Sequence, residues 1–441
     1  MALGGFEALR AEIADCPPVK TLGRVTAIGS GLVTAAACGL DWRLGDRVRL
    51  CRGSVQSATG EIIGLDGDNA QILTDLSAEG LRPGDTVERL GAGGIAPDES
   101  WIGRIIDPLG QPIDGRPLRQ GTVSRPLRNA PPAPADRRGF GPRLETGTAV
   151  FNTLLPLVRG QRIGLFAGAG VGKSSLLASF ARGASADVIV IALVGERGRE
   201  VREFAETVLG AEGMARSVIV TATSDQSPLM RRRCAWTAMA VAEYFRDLGR
   251  QVLLLADSIT RFAEAHREVA LASGEPPALR GFPPSTSQMI MALAERAGPG
   301  AGAQGDITAV FSVLVAGSDM DEPVADILRG VLDGHVVMDR DIAERGRFPA
   351  INVLKSVSRS LPAAASAQEN EMIARARRYL GAYDRAEMMI QAGLYAAGSD
   401  AMVDAALRVW PALDAFVAED EPADSEASFA RLRHILDGAS A

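Results

Sequence analysis

The residue types that most clearly predict chemistry lie between 162 and 177, where an apolar run leads into glycines and then into Lys173 and Ser174. Residues 163–166 form the apolar run, which predicts a buried strand, and the leucines after Ser174 predict a helix. The glycines let the backbone turn tightly and point successive N–H groups inward, and the helix N-terminus adds partial positive charge. This order of strand, loop, Lys-Ser and helix is that of a phosphate-binding loop.

Each part of the loop has an expected role towards ATP and Mg²⁺. Lys173 is expected to contact the β- and γ-phosphates, and the Ser174 hydroxyl to hold Mg²⁺. The chain has three lysines among 47 basic residues, so a lysine kept in this loop suits a need for a compact ammonium group. The residues expected to contact the nucleotide are Ala167, Gly168, Ala169, Gly170, Val171, Gly172, Lys173, Ser174 and Ser175.

The first position of this loop departs from the usual pattern. Ala167 stands where a glycine normally leads, and alanine lacks the easy access to positive φ that glycine has. The alternative interpretation is a glycine-rich turn that binds no ligand. It requires the strand, the turn, the Lys-Ser pair and the helix to occur together by chance. The sequence therefore favours a nucleotide-binding site.

Two carboxylates follow predicted strands that would end beside this loop. Asp257 follows the apolar residues 251–256, where it is expected to hold Mg²⁺, and the alternative is that it caps the next helix. Glu196 follows the strand predicted at 188–193, where it could orient and deprotonate the attacking water. Its alternative is a surface pair with Arg197, and residue type alone does not separate the two.

The elements that must position these residues divide the chain into five parts. A helix with Phe6, Leu9 and Ile13 on one face is predicted within 1–20, and it either packs locally or binds a partner. Short strands at 25–28, 47–50, 61–65 and 71–74 predict a closed β-barrel over 21–92. A connector with a proline-rich linker covers 93–145. The phosphate-binding domain covers 146–361, with further strands at 218–222 and 307–315, and a helical C-terminal domain covers 362–441.

Composition and charge exclude several classes of protein. The net charge is −7 and 46% of the residues are apolar, so nothing indicates a general polyanion binder. Four cysteines without metal spacing suit a reducing cytoplasm, and no membrane span or signal peptide is evident. The run 231–233 of three arginines invites a nucleic-acid interpretation, although a solvated face or ion pairs lining a ring are favoured, and its role stays open.

Several longer motifs give the sequence a family resemblance. ERGREV at 196–201, DSITRFA at 257–263, GEPPALRGFPPS at 274–285 and LDGH at 332–335 resemble the catalytic subunits of rotary ATPases. Among these, the chain most resembles the ATPases of type III protein secretion, of the flagellar export kind, over about residues 20–410. The resemblance implies an α/β, RecA-like P-loop core with an N-terminal β-barrel and a C-terminal helical domain.

The resemblance also assigns site residues. It makes Lys173 and Glu196 catalytic and places Arg197 and Arg261 in the same pocket. The segment 347–359, RFPAINVLKSVSR, resembles the adenine wall and arginine finger of the family, so Phe348 would stack on the base. Arg359 would then reach the γ-phosphate held by a neighbouring subunit. From the residues alone, Phe348 is equally a core aromatic and Arg359 a surface cation.

The implied function is an ATP-hydrolysing motor of flagellar protein export that works as a homohexamer. One chain would supply both Glu196 and Arg359, as six equivalent interfaces require. The implied partners are a stator-like regulator, a coiled-coil central stalk, export chaperone–substrate complexes and the membrane export gate, with no nucleic acid. The implied location is the cytoplasm, peripheral to the inner membrane.

Other functions remain open at this stage. An injection apparatus in place of the flagellum would use the same motifs. A ring ATPase acting on RNA, like the terminator Rho, shares the fold, although the barrel shows no aromatic-basic interleaving. An ATP synthase or vacuolar-type subunit would need a second chain type. A nucleotide-responsive scaffold would not need Glu196.

Overall fold

The computed structural model describes residues 20–439, apart from 21, 30, 38–40, 53–54, 316–319, 321 and 422 and the side chains of 55–57 and 279. The helix predicted within 1–20, with Phe6, Leu9 and Ile13, lies outside the described residues. Three units follow along the chain: a β-barrel, a mixed sheet covered by helices, and a group of C-terminal helices. Within the described residues, no helix combines the length and apolar character that crossing a lipid bilayer requires.

The N-terminal unit is a closed antiparallel barrel, as the sequence predicts. Its strands pair in the order β1-β2-β5-β4-β3-β6, and pairing of β1 with β6 closes it. Inward-facing Val33, Leu50 and Ile72 belong to its apolar core. The strands β2 and β6 were not predicted, because one is short and the other is rich in polar residues. The strands are β1 Leu22–Ile28, β2 Leu32–Ala36, β3 Arg47–Arg52, β4 Val55–Asp66, β5 Asn69–Thr74 and β6 Thr86–Gly91.

The second unit is built on an eight-stranded sheet with the order β14-β13-β8-β12-β11-β9-β10-β7. Every neighbouring pair is parallel except β13 and β14. The strand β7 falls within the range predicted as a connector, yet it pairs with β10 and is the outermost strand of the sheet. The strands are β7 Arg104–Ile106, β8 Arg162–Ala167, β9 Val188–Glu196, β10 Ser217–Thr223, β11 Val252–Asp257, β12 Ile307–Leu314, β13 Gly334–Met338 and β14 Ile351–Ser358.

Helices cover both faces of this sheet. Successive residues of β9 alternate between two cores, with Ile189 and Ile191 on one face and Val190 and Ala192 on the other, as strand geometry requires. The helices of this unit are α1 Ala149–Asn152, α2 Lys173–Gly183, α3 Gly198–Glu203, α4 Gly210–Met214, α5 Pro228–Asp247, α6 Ile259–Ala272, α7 Ser285–Glu295, α8 Pro323–Val331 and α9 Arg340–Glu344. A π-helical turn, Phe204–Leu209, joins α3 to α4.

The C-terminal residues are helical, as their spacing predicts. The helices are α10 Ala367–Gln391, α11 Ala401–Val417 and α12 Ser425–Asp437. Phe416 of α11 and Phe429 of α12 are buried in the same apolar core as Phe180 of α2. These helices therefore pack on the same side of the sheet as α2, the helix that follows the glycine-rich loop.

Candidate active site

The glycine-rich loop joins β8 to α2 at the C-terminal edge of the sheet, that is, the edge at which the parallel strands end. Gly170 and Gly172 have φ values of 77° and 85°, which the absence of a side chain permits. Ala167 is the last residue of β8 and is fully buried, and its φ is not positive. The substitution of alanine for the usual leading glycine therefore costs this loop nothing in backbone strain, which removes the objection that the sequence raised.

Lys173 and Asp257 meet at this edge. The Lys173 ammonium group forms an ion pair and hydrogen bond with Asp257 Oδ1. Ser312 of β12 donates its hydroxyl to the same oxygen at 2.7 Å, and Asp257 is buried. Ser258, rather than Asp257, caps α6, because its hydroxyl accepts the Arg261 N–H at 3.3 Å. The helix-capping alternative for Asp257 is therefore wrong.

Glu196 ends β9, next to β11 in the sheet. Burial, and then the neighbouring charge of Asp257, raise the pKa of Glu196 to about 7, although Lys173 opposes this shift. Glu200 raises the pKa further, by a hydrogen bond and by its charge. A carboxylate with such a pKa can accept a proton near neutral pH, which is what a general base requires.

The surface-pair alternative for Glu196 does not hold. The side chain of Arg197 is 70% exposed and its Nη1 donates to Glu200 at 3.2 Å, not to Glu196. Arg261 lies on the other side of the same turn. A Cβ placed on Gly195, whose φ is 72°, would be 3.3 Å from Arg261 Cβ, so the missing side chain allows α6 to approach. Arg261 donates to Glu264 at 2.9 Å and is partly exposed.

Ser174, Ser175, Glu196 and Asp257 line one cavity at the start of α2. A hydroxyl and a carboxylate are ligands that Mg²⁺ accepts, and Mg²⁺ in phosphate-transfer sites commonly takes its other ligands from water and the substrate. Among the residues that the structure describes, no group of three or more His, Cys, Asp or Glu side chains could hold a metal ion alone. The residues present therefore fit Mg²⁺ that is bound together with a phosphate ligand.

Phe348 lies against the glycine-rich loop. Its side chain is 51% exposed, and a Cβ placed on Gly172 would come within 3.1 Å of Phe348 Cδ1. The core-aromatic alternative is therefore wrong. An exposed ring beside a phosphate-binding loop is available to stack on a flat ligand such as a nucleotide base.

Arg359 lies at the opposite edge of the sheet from the loop, where the parallel strands begin. Because β14 runs antiparallel to β13, Ser358 at its end pairs with Gly334 at the start of β13. Ala167, from which the loop departs, pairs with Met338 at the other end of β13. At about 3.3 Å per residue, roughly 15 Å of strand separates Arg359 from the loop. Arg359 is exposed; its backbone N–H donates to the Asp333 carbonyl at 3.0 Å and its Nη2 donates to the Arg329 carbonyl at 3.3 Å.

The arginine run 231–233 is neither solvated as a whole nor arranged as one surface. Arg231 pairs with α6 through Glu268 at 3.0 Å. Arg232 donates to Glu61 of the barrel at 2.8 Å, and Arg233 donates to the Pro108 carbonyl at 3.2 Å. Arg232 and Arg233 are buried, so the solvated-face interpretation is wrong for both. The run joins α5 to the barrel and the connector.

Sequence reasoning missed two side chains of this site. Ser312 supports Asp257 from β12, and its signal was a single hydroxyl late in the otherwise apolar run 309–314. Glu200 in the first turn of α3 contacts Glu196 at the end of β9, and its signal was only that a second glutamate follows closely in the sequence.

Two family descriptions match the chain. Residues 147–358 match the ATP synthase alpha/beta family, nucleotide-binding domain, and residues 365–434 match the T3SS EscN ATPase C-terminal domain. Both ranges coincide with units described above, since the first contains the glycine-rich loop, both carboxylates and Phe348, and the second contains the C-terminal helices.

Individual proteins similar to the chain cover nearly all of it. The flagellum-specific ATP synthase of Caulobacter vibrioides is 44% identical over 442 residues, covering 98% of this chain and 99% of that protein. The assembled ATPase EscN from the enteropathogenic E. coli type III secretion system is 35% identical, with a TM-score of 0.87, covering 94% of this chain and 100% of that one. The structure of EscN in complex with its central stalk EscO matches with a TM-score of 0.86, at the same identity and coverage.

Proposed function

Because this chain belongs to the ATP synthase alpha/beta family, among its flagellum-specific members, we propose that it hydrolyses ATP to drive protein export through the flagellar apparatus. The higher identity to a flagellum-specific relative than to EscN favours the flagellum over an injection apparatus. One observation carries the catalytic part of the proposal: Lys173, Asp257 and Glu196 converge at one edge of the sheet, whereas Arg359 lies at the other.

ATP binding follows from the loop. Its N–H groups and the N-terminus of α2 attract the phosphates, and Lys173 would exchange its carboxylate partner for phosphate oxygens. Ser174 and Asp257 would then hold Mg²⁺, with Ser312 fixing the Asp257 carboxylate. Mg²⁺ bound there would neutralise charge that develops on the phosphates. Phe348 would stack on the adenine.

Glu196 acts on the attacking water. Its raised pKa lets it take a proton near neutral pH, and its carboxylate lines the cavity at the start of α2, where a water can reach it. Removal of such a base typically costs about 10² to 10⁴ in rate. Arg197 and Arg261 flank the same turn and would balance the charge of the phosphates.

Arg359 completes the site of a neighbouring subunit. Within its own chain it stands at the wrong edge of the sheet to reach the loop, so its contact with a γ-phosphate requires a second copy. We propose a homohexamer in which each interface holds one such site, as the assembled form of EscN suggests. An arginine supplied in this way stabilises transition-state charge and contributes about 10³ to 10⁵ in rate.

Mixing two inactive variants tests this arrangement. Glu196→Gln and Arg359→Ala subunits should each form inactive assemblies, but mixed assemblies should regain hydrolysis at interfaces that combine Glu196 of one chain with Arg359 of the other. Lys173→Ala mixed with Glu196→Gln is the matched control and should stay inactive, because both residues belong to the same half-site. Hydrolysis by Arg359→Ala alone at the wild-type rate would contradict the proposal.

The wider setting is proposed from the relatives. By analogy with EscN and EscO, a coiled-coil stalk would enter the ring, and export chaperones with their substrates, a stator-like regulator and the membrane export gate would bind outside it. The protein would then work in the cytoplasm at the inner face of the membrane.

Stimulation of hydrolysis by RNA would instead support the Rho-like alternative. A variant that binds ATP, cannot hydrolyse it and still supports export would support a scaffold.

A further inference from the structure

Arg347, next to the proposed base-stacking Phe348, is held in an unusual set of contacts. Its Nη1 donates to the Pro349 carbonyl at 3.0 Å and its Nη2 donates to the Ile351 carbonyl at 2.7 Å. Its Nε lies 2.9 Å from Asp414 Oδ1 in α11, and the side chain is only 11% exposed. One guanidinium group thus binds two carbonyls of its own turn and a carboxylate from the C-terminal helices.

The two carbonyl contacts fix the turn that carries Phe348. They hold the backbone on the C-terminal side of Phe348, at the point where the chain enters β14. Arginine suits this task because its planar fork presents several N–H donors at fixed angles, whereas lysine offers one point charge. Burial lowers the pKa of Arg347, while Asp414 opposes that shift, so the carboxylate supports the charged form on which the contacts depend.

Phe348 has little other support for its position. Half of its surface is exposed, and its ring contacts the loop at Gly172. The rotamers open to an exposed ring depend on the φ and ψ of its backbone, and each rotamer lost on binding a base costs free energy. The orientation of the ring towards a bound base therefore depends on the turn that Arg347 holds.

Asp414 connects this turn to the C-terminal helices. Its neighbours Leu413 and Phe416 are buried in the core, so the α11 backbone is firmly placed. A second ion pair, Arg345 with Glu387 of α10 at 2.7 Å, lies beside the first, and its arginine is far more exposed than Arg347, although Asp414 is itself one-third exposed. Pairs between exposed side chains contribute little, whereas the Arg347 guanidinium is nearly buried and also donates to two carbonyls, so Arg347 is the stronger link.

We propose that Arg347 is a positioning residue for the nucleotide base: it holds Phe348 in the stacking orientation and ties that orientation to α11 through Asp414. This inference rests on the proposed function, in which Phe348 stacks on adenine. A shift of α11 would then change the affinity of the site for ATP without changing the groups that act on the γ-phosphate. The C-terminal helices would thereby influence nucleotide binding.

The test compares KM and kcat for ATP in Phe348→Ala, Arg347→Ala and the double variant. Stacking of a base on an aromatic ring is worth about 1–3 kcal/mol, so Phe348→Ala should raise KM about tenfold with kcat within about twofold. Arg347→Ala should raise KM about three- to tenfold alone and add nothing in the Phe348→Ala background. Arg347→Lys, which keeps the charge for Asp414 but loses the fork, should reproduce the increase even if the alanine variant is unstable.

Binding of inorganic tripolyphosphate supplies a readout without the base. Its dissociation constant should be unchanged in all these variants, because it contacts the loop and not Phe348. An equal increase in KM for ATP on changing Arg347 with and without Phe348 would overturn the inference while leaving the stacking role intact. No change of KM in Phe348→Ala would overturn the stacking role and this inference together, yet leave hydrolysis through Lys173 and Glu196 standing.

The link to α11 is tested by Asp414→Asn, with Glu387→Gln as the matched control. Asp414→Asn should raise KM for ATP about twofold to fivefold, since it removes the charge partner of a nearly buried guanidinium and leaves the carbonyl contacts. Glu387→Gln should leave KM unchanged, because its partner Arg345 is half-exposed and makes no contact with the carbonyls that follow Phe348 among the bonds of the described residues. Equal effects of the two variants, or none from Asp414→Asn, would overturn the link.

Discussion

Phe348 precedes and Arg359 follows the same strand, β14, so the two residues lie at opposite edges of the sheet. Phe348 contacts the glycine-rich loop of its own chain, whereas Arg359 faces away from it. In a ring of identical subunits, one rigid strand would therefore connect the base in one site with the γ-phosphate in the next. In such a ring, this arrangement would give neighbouring sites a direct path for communication through β14.

The rate of hydrolysis should depend on pH through Glu196. The base must be ionised to accept a proton, and burial raises its pKa to about 7, so its active fraction falls as the pH drops below 7. We expect kcat/KM to rise with pH, to reach half of its maximum near pH 7 and to level off about one pH unit above that. A pH profile of initial rates at saturating Mg²⁺ measures this.

Glu200→Gln separates the titration of Glu196 from that of ATP itself. Glu200 raises the pKa of Glu196, so its neutralisation should lower that pKa and move the rise in kcat/KM to lower pH. The pKa of ATP itself would stay the same in this variant. An unchanged profile in Glu200→Gln would assign the pH dependence to a group other than Glu196.

Ser312→Ala should impair the use of Mg²⁺. The Ser312 hydroxyl donates to Asp257 at 2.7 Å, and a hydrogen bond to a charged group is worth about 1.5–3 kcal/mol. We expect the Mg²⁺ concentration for half-maximal hydrolysis to rise about tenfold. Thr308→Ala is the matched control, because it removes a buried hydroxyl of the same strand that binds the Gly160 N–H instead. An equal change in both variants would show a general effect on β12.

Much of this site was predictable because its residues are close in sequence or follow strands. Strand, loop and helix are local, so the positions of Lys173 and Ser174 follow from the pattern around them. Asp257 and Glu196 were predictable because parallel strands end at a common edge, a rule of topology that needs no side-chain detail.

Other features depend on contacts between distant segments. The burial of Arg232 depends on Glu61, 171 residues away in another unit, and no local pattern predicts that pairing. Arg347 looks like any cation in a turn that contains a proline, until α11 brings Asp414 to it. The strand β7 lies among turn-forming residues, and its place in the sheet depends on pairing with β10, more than 100 residues later. Long-range pairing, rather than local propensity, decides these positions.

Glu61→Gln should destabilise the junction between barrel and ATPase unit. Glu61 and Arg232 are both nearly inaccessible to solvent and 2.8 Å apart, so removal of one charge leaves the other buried without a partner. Such losses typically cost about 3–5 kcal/mol of unfolding free energy. Denaturant unfolding measures the loss, and Glu206→Gln, which breaks an exposed pair with Arg202, should cost less than about 1 kcal/mol. Similar losses in the two variants would contradict the buried-pair interpretation.

Ala167→Gly tests whether the leading alanine matters to the loop. Ala167 ends β8 in ordinary strand conformation, and its small side chain is buried in the core beneath the loop. Glycine there gains no backbone freedom that the loop uses, and it loses a buried methyl group and some chain stiffness. We expect unchanged ATP affinity and a loss of about 0.5–1 kcal/mol in unfolding free energy. Measurement of ATP binding and thermal unfolding on the same preparation separates the two effects. Tighter ATP binding by the glycine variant would mean that the alanine does strain the loop, whatever its φ in the free protein.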